Sequence, residues 1–340
     1  MKKRVLEKLK SNCGDYVSGE ALSVNLGVSR TAVWKYIKDL KEEGYSIDAV
    51  SRKGYRLISD EDILNSFEIT YQLTTKVLGK EASYFEEIDS TNNYAKKLAY
   101  EGCPDGTVVV ADRQVAGKGR LGRAWESPAG KGIWMSVVLR PSIPPEDVQV
   151  ITLGASVAVV KALKVFAGEG LGIKWPNDIV FGGKKICGIL TEMSSEQDKI
   201  NFIVVGMGIN VSHQAEDFSE DLRNRATSLL LCRDSSDGGG KKRSGETSLR
   251  RSEILRNILA ELEEVYFKIN EGHFTDIIAQ WKRFSATLGK EVRVVIKGIE
   301  YAGLAKDITA DGKLVVECAD GERREVISGE VIVRGMLGYV

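Results

Sequence analysis

Between two apolar runs of the chain lies the stretch Gly117-Lys118-Gly119-Arg120-Leu121-Gly122-Arg123, and the residues around it decide the fold class. Its glycines match the dinucleotide-binding pattern G-x-G-x-x-G, which must open a helix that receives the pyrophosphate. The sequence instead continues into Ser127-Pro128-Ala129-Gly130 and then into a strand-like run over residues 133–139. Since no helix follows the glycines, a Rossmann fold is excluded.

The same stretch is better interpreted as a glycine-rich loop that carries cations. Lys118, Arg120 and Arg123 lie at alternating or nearly alternating positions, with Gln114 and Trp125 close on either side. Glycine lets backbone N–H groups approach a phosphate closely, and the cations match its charge. A kinase loop is excluded because no V-A-I-K, H-R-D or D-F-G motif follows. We predict a ligand-binding loop; the alternative is a disordered basic surface loop.

A second motif, Asp89-Ser90-Thr91-Asn92-Asn93, precedes a helix predicted to begin near Tyr94. Its short hydroxyl and amide side chains can cap that helix or bind a ligand, and from this motif alone capping is the favoured interpretation. It follows a strand-like run, as the glycine-rich loop does.

A third motif joins Lys174-Trp175-Pro176-Asn177-Asp178 to a predicted hairpin that turns at Gly182-Gly183. Lys185 then lies on a short strand of apolar and small residues, where a cation is costly unless a partner compensates it. An anionic ligand is one such partner. A further strand ends in Gly206-Met207-Gly208-Ile209-Asn210, where glycines allow a ligand to come close.

Length and composition limit the class of protein. A chain of 340 residues predicts two or three domains, and 48 basic against 48 acidic residues give no net charge. Five scattered cysteines fit neither a disulfide framework nor a zinc site. We find no secretory signal and no apolar run of about 18 residues, so the expectation is a cytoplasmic protein without a membrane span. The two histidines, His213 and His273, are interpreted as solvent-exposed.

Residues 1–60 predict a winged helix-turn-helix and carry 12 basic against 8 acidic residues. Three short helices are predicted; the second and third are capped by Ser18 and Ser29 and are separated by a break at Gly27. A hairpin with a basic tip follows. Donors, cations and an aromatic on the exposed face of the third helix suit base edges and phosphates. The predicted DNA-binding residues are Arg30, Thr31, Trp34, Lys35, Lys38, Arg52 and Lys53. The alternative is a three-helix bundle that docks on the enzyme or on a partner.

The C-terminal part predicts two amphipathic helices, over residues 255–267 and 277–284, and then short strands. The strands cover residues 292–296, 314–317 and 331–333, with Asp-Gly turns between them, and a small SH3-like barrel fits this pattern. Residues 233–252 are interpreted as a solvated insertion.

Taken in order, the motifs resemble those of the biotin protein ligases, and with the winged helix they resemble the bifunctional members that also repress the biotin operon. The resemblance covers essentially the whole chain. It implies an α+β fold in three domains: a winged helix-turn-helix over residues 1–62, a catalytic domain of the class II synthetase-like biotin/lipoate ligase type with a mixed sheet over residues 63–287, and an SH3-like barrel over residues 288–340.

The resemblance also implies the reaction and its residues. ATP with Mg²⁺ would activate biotin as biotinyl-5'-AMP, and the biotin would pass to a lysine of a biotin carboxyl carrier protein. Lys185 and Arg120 are the expected catalytic residues, and Asp178 is the expected magnesium ligand. Biotin is expected on Ser90, Thr91, Asn92, Gln114, Lys118, Gly119, Arg120, Lys185 and Gly188. ATP and the adenylate are expected on Arg120, Arg123, Trp125, Lys174, Asn177, Asp178 and Asn210.

Two departures from the family pattern bear on these expectations. Lys118 stands where many relatives carry arginine, so that the charge is kept and bidentate geometry is lost. Ala226 lies where some bifunctional members place an aromatic against adenine, which puts that stacking contact in doubt. Operator DNA and a homodimer are the further expected partners, since helix-turn-helix proteins usually read two-fold symmetric sites. The alternatives are a ligase with a non-regulatory N-terminal domain and a lipoate-type ligase.

Overall fold

The structure is a computed structural model that describes residues 1–59, 62–236, 249–296, 298–327, 330–334 and 336. The chain divides into two compact units, Met1–Glu68 and Ile69–Val340. The domain boundaries after residues 62 and 287 stay predictions.

The first unit confirms the winged helix-turn-helix. Its helices are α1 (Lys2–Ser11), α2 (Gly19–Leu26) and α3 (Arg30–Glu42), and its wing consists of the antiparallel strands β1 (Ser46–Val50) and β2 (Gly54–Ser59). Ser18 and Ser29 accept the backbone N–H groups of Ala21 and Ala32, as expected of N-caps. Gly27 ends α2 in the left-handed conformation. A short helix, α4 (Ser66–Thr70), follows.

The second unit contains a seven-stranded mixed sheet. The strands are β3 (Ala82–Ile88), β4 (Val108–Gln114), β5 (Gly132–Leu139), β6 (Leu171–Lys174), β7 (Asp178–Phe181), β8 (Lys184–Glu196) and β9 (Lys199–Asn210). In the sheet, β3 and β4 are parallel, the other pairs are antiparallel, and the order is β3-β4-β5-β9-β8-β7-β6. The helices are α5 (Thr91–Tyr100), α6 (Val148–Ala167), α7 (Leu229–Ser236), α8 (Arg251–Asn270) and α9 (Phe274–Phe284).

Helix α6 corrects the expectation that no apolar run is long enough for a membrane span. The stretch Pro145–Ala167 passes that test by length and composition, and 83% of its apolar window is buried inside the fold. Leu153, Val157 and Val160 lie fully inside, as in the core helix of a globular domain.

The predicted insertion over residues 233–252 is shorter in the structure. Residues up to Ser236 belong to α7, and α8 begins at Arg251, whose buried guanidinium is paired with Asp112 at 2.5 Å. Residues 249 and 250 are described between the two helices, and residues 237–248, on which the rest of the prediction falls, lie outside the described part of the chain.

A smaller five-stranded antiparallel sheet follows. It has the order β13-β12-β11-β10-β14, with β10 (Glu291–Ile296), β11 (Ile299–Ile308), β12 (Leu314–Cys318), β13 (Arg323–Val326) and β14 (Glu330–Val333). Three of these strands were expected; β11 and β13 were not. The indole N–H of Trp175, ahead of β7, donates to the carbonyl of Gly312 in the β11–β12 turn at 3.1 Å.

Candidate active site

One pocket of the second unit brings the predicted motifs together. It is formed at the N-terminus of α5, beneath the glycine-rich loop and over the central strands β8 and β9. All nine residues predicted for biotin line it: Ser90, Thr91, Asn92, Gln114, Lys118, Gly119, Arg120, Lys185 and Gly188. Four more of the residues predicted for ATP line it as well: Arg123, Trp125, Asn177 and Asp178.

The motif around Ser90 serves the pocket and does not cap α5. Ser90 occupies the N-cap position but its side chain makes no capping hydrogen bond, so the favoured sequence interpretation was wrong. The Thr91 backbone N–H and hydroxyl donate to Gln114 Oε1 at 2.8 and 3.0 Å. The Gln114 amide donates to Ser127 Oγ at 2.9 Å. The Gln114 amide is therefore held between the first turn of α5 and Ser127, which follows the glycine-rich loop.

The polar floor of the pocket continues through residues that the sequence analysis missed. Buried Ser136 on β5 donates to Asn92 Oδ1 at 2.6 Å, and Asn92 donates to Glu192 Oε2 at 2.7 Å. Glu192 is paired in turn with Lys96 at 2.7 Å. The sequence offered one signal for this network, Ser136, the single hydroxyl within the apolar strand at residues 132–139. A buried polar group of this kind must find a partner.

Lys185 has the partner that its apolar strand requires. Its Nζ lies 2.8 Å from Asp178 Oδ1, and the two side chains are only 10% and 5% exposed. The same ammonium lies 5.1 Å from the centroid of the Trp125 ring. Lysine and carboxylate thus form a buried pair at the pocket wall with the half-buried indole beside them, and low solvation strengthens the charge interaction of the pair.

Glycines on the two central strands let this group pack closely. A Cβ on Gly188 would lie 2.9 Å from the Trp125 ring and 3.0 Å from Lys185 Cε. A Cβ on Gly208 would lie 2.4 Å from the indole nitrogen. Side chains at these two positions would displace the indole and the lysine, which explains why both residues are glycine.

The glycine-rich loop is a small hairpin, which we call the lid (residues 115–125). Lys118 and Ala124 form an isolated antiparallel bridge, and Gly119 N donates to Arg123 O at 2.8 Å. At its tip Arg120 donates to Asn177 Oδ1 at 3.0 Å. The lid therefore contacts the third motif, and the alternative of a disordered basic surface loop was wrong.

A second pocket adjoins the first and shares Ala124 and Trp125 with it. Asn210, Phe218 and Ala226 also line it. Asn210 is held by a hydrogen bond from its amide to Thr227 O at 3.0 Å. Lys174 is buried on β6 and lines neither pocket. Asn210 therefore lies in the second pocket with Trp125, and Lys174 lies opposite Asp178 where β6 pairs with β7.

His213 corrects the expectation of two exposed histidines. It is 3% exposed and stacked on Phe218 with the ring centroids 5.0 Å apart, while His273 is exposed. Burial lowers the pKa of His213 to about 4, against which the nearby Asp217 carboxylate acts. The ring is therefore neutral at physiological pH and forms part of the wall of the second pocket.

No cluster of three or more potential metal ligands occurs among the residues that the structure describes. Mg²⁺ is commonly held by one or two carboxylates together with substrate phosphates. Asp178 at the pocket wall fits such a role, because one carboxylate and a nucleotide together suffice.

Comparisons with known proteins match the same three regions. Residues 84–210 match the biotin/lipoate A/B protein ligase family, residues 2–56 match an HTH domain, and residues 287–334 match the biotin protein ligase C terminal domain. The bifunctional ligase/repressor BirA of Bacillus spizizenii is 40% identical over 95% of this chain and 96% of its own length. The chain belongs to the biotin protein ligase family. BirA of Escherichia coli is 27% identical over 94% of both chains.

Solved structures of the family agree with this membership. The biotin protein ligase of Aquifex aeolicus in complex with biotin and ATP is 29% identical. It covers 75% of this chain and 99% of its own, with a TM-score of 0.60. The α+β fold class and its mixed ligase-type sheet are therefore confirmed.

The predicted DNA-binding residues lie together on the first unit. On α3, Val33, Ile37 and Leu40 are buried, which leaves the expected stripe exposed: Arg30, Thr31, Trp34, Lys35 and Lys38. Trp34 is 58% exposed, an unusual position for a large ring. Arg52 and Lys53 are exposed at the wing tip, where Arg52 has a positive φ of 67°.

Proposed function

We propose that this protein joins biotin to ATP, forming biotinyl-5'-AMP and pyrophosphate, and then transfers the biotin to a lysine of a biotin carboxyl carrier protein. The observation that supports this most directly is the single pocket that gathers all nine residues expected for biotin. Family membership supports the same reaction class.

The chemistry needs the groups that the pocket wall supplies. When the biotin carboxylate attacks the α-phosphate, two anions meet, so fixed cations must stabilise the added charge. In the proposed site Lys185 takes the carboxylate oxygen, and Arg120 and Arg123 take phosphate oxygens. Asp178 would hold Mg²⁺ together with the nucleotide, and the bound ion would neutralise charge on the triphosphate. The Asp178 carboxylate also orients the Lys185 ammonium toward the reaction centre.

The second pocket is the proposed site of the adenine ring. Trp125 lies between the two pockets and offers an aromatic face on the side where Ala226 offers none. In this proposal the base stacks on Trp125, which would supply the aromatic contact that Ala226 lacks. Asn210 would then lie beside the base.

The acyl phosphate of the adenylate is prone to hydrolysis, so the site must exclude water until the acceptor lysine arrives. The lid is the element placed to do this. The acceptor amine then attacks the activated carbonyl, the carbonyl–phosphate bond breaks, and AMP leaves.

The test of this function is pyrophosphate release with ATP and either biotin or lipoate. We expect release that depends on biotin. Release with lipoate and not with biotin would instead support the lipoate-type ligase. Calorimetry with biotin first and ATP second measures whether the chain binds each of them.

We propose that the protein also represses transcription as a homodimer. The exposed stripe on α3, the basic wing tip and the repressor relatives support this. A mobility-shift assay with DNA from upstream of the protein's own gene, with and without biotin and ATP, tests it. A ligand-dependent shift supports repression, and no shift under either condition leaves a ligase whose N-terminal unit is not regulatory.

A further inference from the structure

Asn93 lies beside the pocket but does not line it, and nothing in the proposed chemistry uses it. It occupies the first turn of α5, three residues after Ser90. Its amide joins two charged groups. Asn93 Oδ1 accepts Lys118 Nζ of the lid at 2.7 Å, and Asn93 Nδ2 donates to Asp89 Oδ2 at 2.7 Å.

The amide therefore connects the lid to a carboxylate that stays negative. The hydrogen bond from Asn93 lowers the pKa of Asp89, and the Lys118 charge acts in the same direction. Both bonds made by Asn93 have one ionised partner, the kind of hydrogen bond that is stronger than a neutral one. The amide can satisfy both only in this orientation, with oxygen toward Lys118 and nitrogen toward Asp89.

The segment before α5 holds the same arm of the lid through its backbone. Val115 N donates to Ile88 O and Ala116 N donates to Asp89 O, each at 2.9 Å. Lys118 continues this series of contacts toward the lid tip. Arg120 at the tip makes the contact on the opposite side of the pocket, with Asn177.

We propose that Asn93 is a positioning residue that holds the lid closed over the adenylate through Lys118. This rests on the proposed ligase function. The Asn93 contact fixes one arm of the lid without touching the substrates, while Arg120 closes the other side. Loss of Asn93 should therefore loosen the lid and leave the pocket itself intact.

The first test measures the lid directly and needs no ligase activity. Trypsin cleaves after Arg120 and Arg123, so cleavage there, followed by mass spectrometry, reports how often the lid opens. In Asn93→Ala we expect this cleavage to be roughly two- to fivefold faster, since an exposed charged contact contributes up to about 1 kcal/mol. The control is Lys97→Ala on the same helix, which removes an exposed contact with Glu101 and should change nothing.

A double-mutant comparison separates the proposed contact from a general loosening of α5. With Lys118→Met in place, Asn93→Ala should have no further effect on cleavage after Arg120 and Arg123, because the partner is already lost. Unchanged cleavage in Asn93→Ala, or effects of the two substitutions that simply add, would overturn the proposal.

The second test asks whether the lid retains the adenylate. With biotin and ATP but no acceptor, Asn93→Ala should release and hydrolyse adenylate roughly two- to fivefold faster than the unaltered chain, while the rate of its formation stays the same. Equal release rates would overturn the proposal. If the unaltered chain forms no adenylate, the ligase function itself fails, and the trypsin comparison still decides whether Asn93 holds the lid.

Discussion

At the scale of single residues, the adjacent lysines of β8 provide a matched pair. Lys185 is buried beside Asp178, whereas Lys184 lies near the surface and donates to Arg223 O at 3.3 Å. We expect Lys185→Ala to slow adenylate formation at least about 100-fold, the usual cost of removing a preorganised group that stabilises developing charge. Lys184→Ala should stay within about twofold, on the usual scale of surface substitutions. Biotin-dependent pyrophosphate exchange measures both, and equal losses would remove Lys185 from the reaction centre.

His213 predicts how stability depends on pH. Its pKa is about 4 in the folded protein against 6.5 for the unfolded side chain. As the pH falls, the unfolded chain therefore binds this proton before the folded chain does. The stabilisation that comes from burying the neutral ring is fully present above pH 6.5 and is lost as the pH approaches 4. The full loss is on the order of 3 kcal/mol. His213→Gln should remove this part of the pH dependence, as measured by urea unfolding at pH 7 and pH 4.5. Identical pH profiles for the two chains would contradict the buried neutral state.

At the scale of elements, α8 anchors the start of the second unit by one carboxylate. Buried Glu263 accepts the backbone N–H groups of residues 76, 77 and 78 at 2.6, 2.7 and 3.0 Å. Glu263→Gln keeps the shape but replaces one acceptor oxygen by a donor, which leaves N–H groups without a partner. We expect a loss of about 2 kcal/mol in the free energy of unfolding. Its neighbour Glu264 is 68% exposed, and Glu264→Gln should cost less than about 0.5 kcal/mol. Comparable losses in urea titrations of both variants would count against the anchor.

The elements also show where sequence reasoning succeeds. The Gly182-Gly183 turn and its two strands were predicted correctly, because both glycines take the positive φ values, 56° and 81°, that this kind of hairpin turn requires. The first turn of α5 was misjudged, since capping is a local pattern and the partners of its side chains are distant. Asn92 meets Ser136 and Glu192, which are 44 and 100 residues away along the chain.

At the scale of the whole molecule, the order of the motifs predicted the fold class and, apart from Lys174 and Asn210, the residues that share one pocket. Helix α6 was not predicted because it is buried on nearly all sides. Its sequence therefore lacks the alternation of polar and apolar faces by which an amphipathic helix is recognised. His213 was misjudged for a related reason. Its burial depends on Phe218 and Trp134, which come together only in the folded chain.

The division into two compact units predicts that DNA binding can be lost without loss of ligation. If Arg52 and Lys53 of the wing each neutralise a phosphate, affinity should depend less steeply on salt when both are replaced by alanine. The magnitude of the slope of log affinity against log salt should fall by about 2. The control is Lys41→Ala, because Lys41 is exposed on α3 outside the predicted stripe. Mobility shifts at several salt concentrations give the slopes, and pyrophosphate release by the same preparations should be unchanged. An equal slope for the wing variant and the control would show that the wing does not contact the DNA backbone.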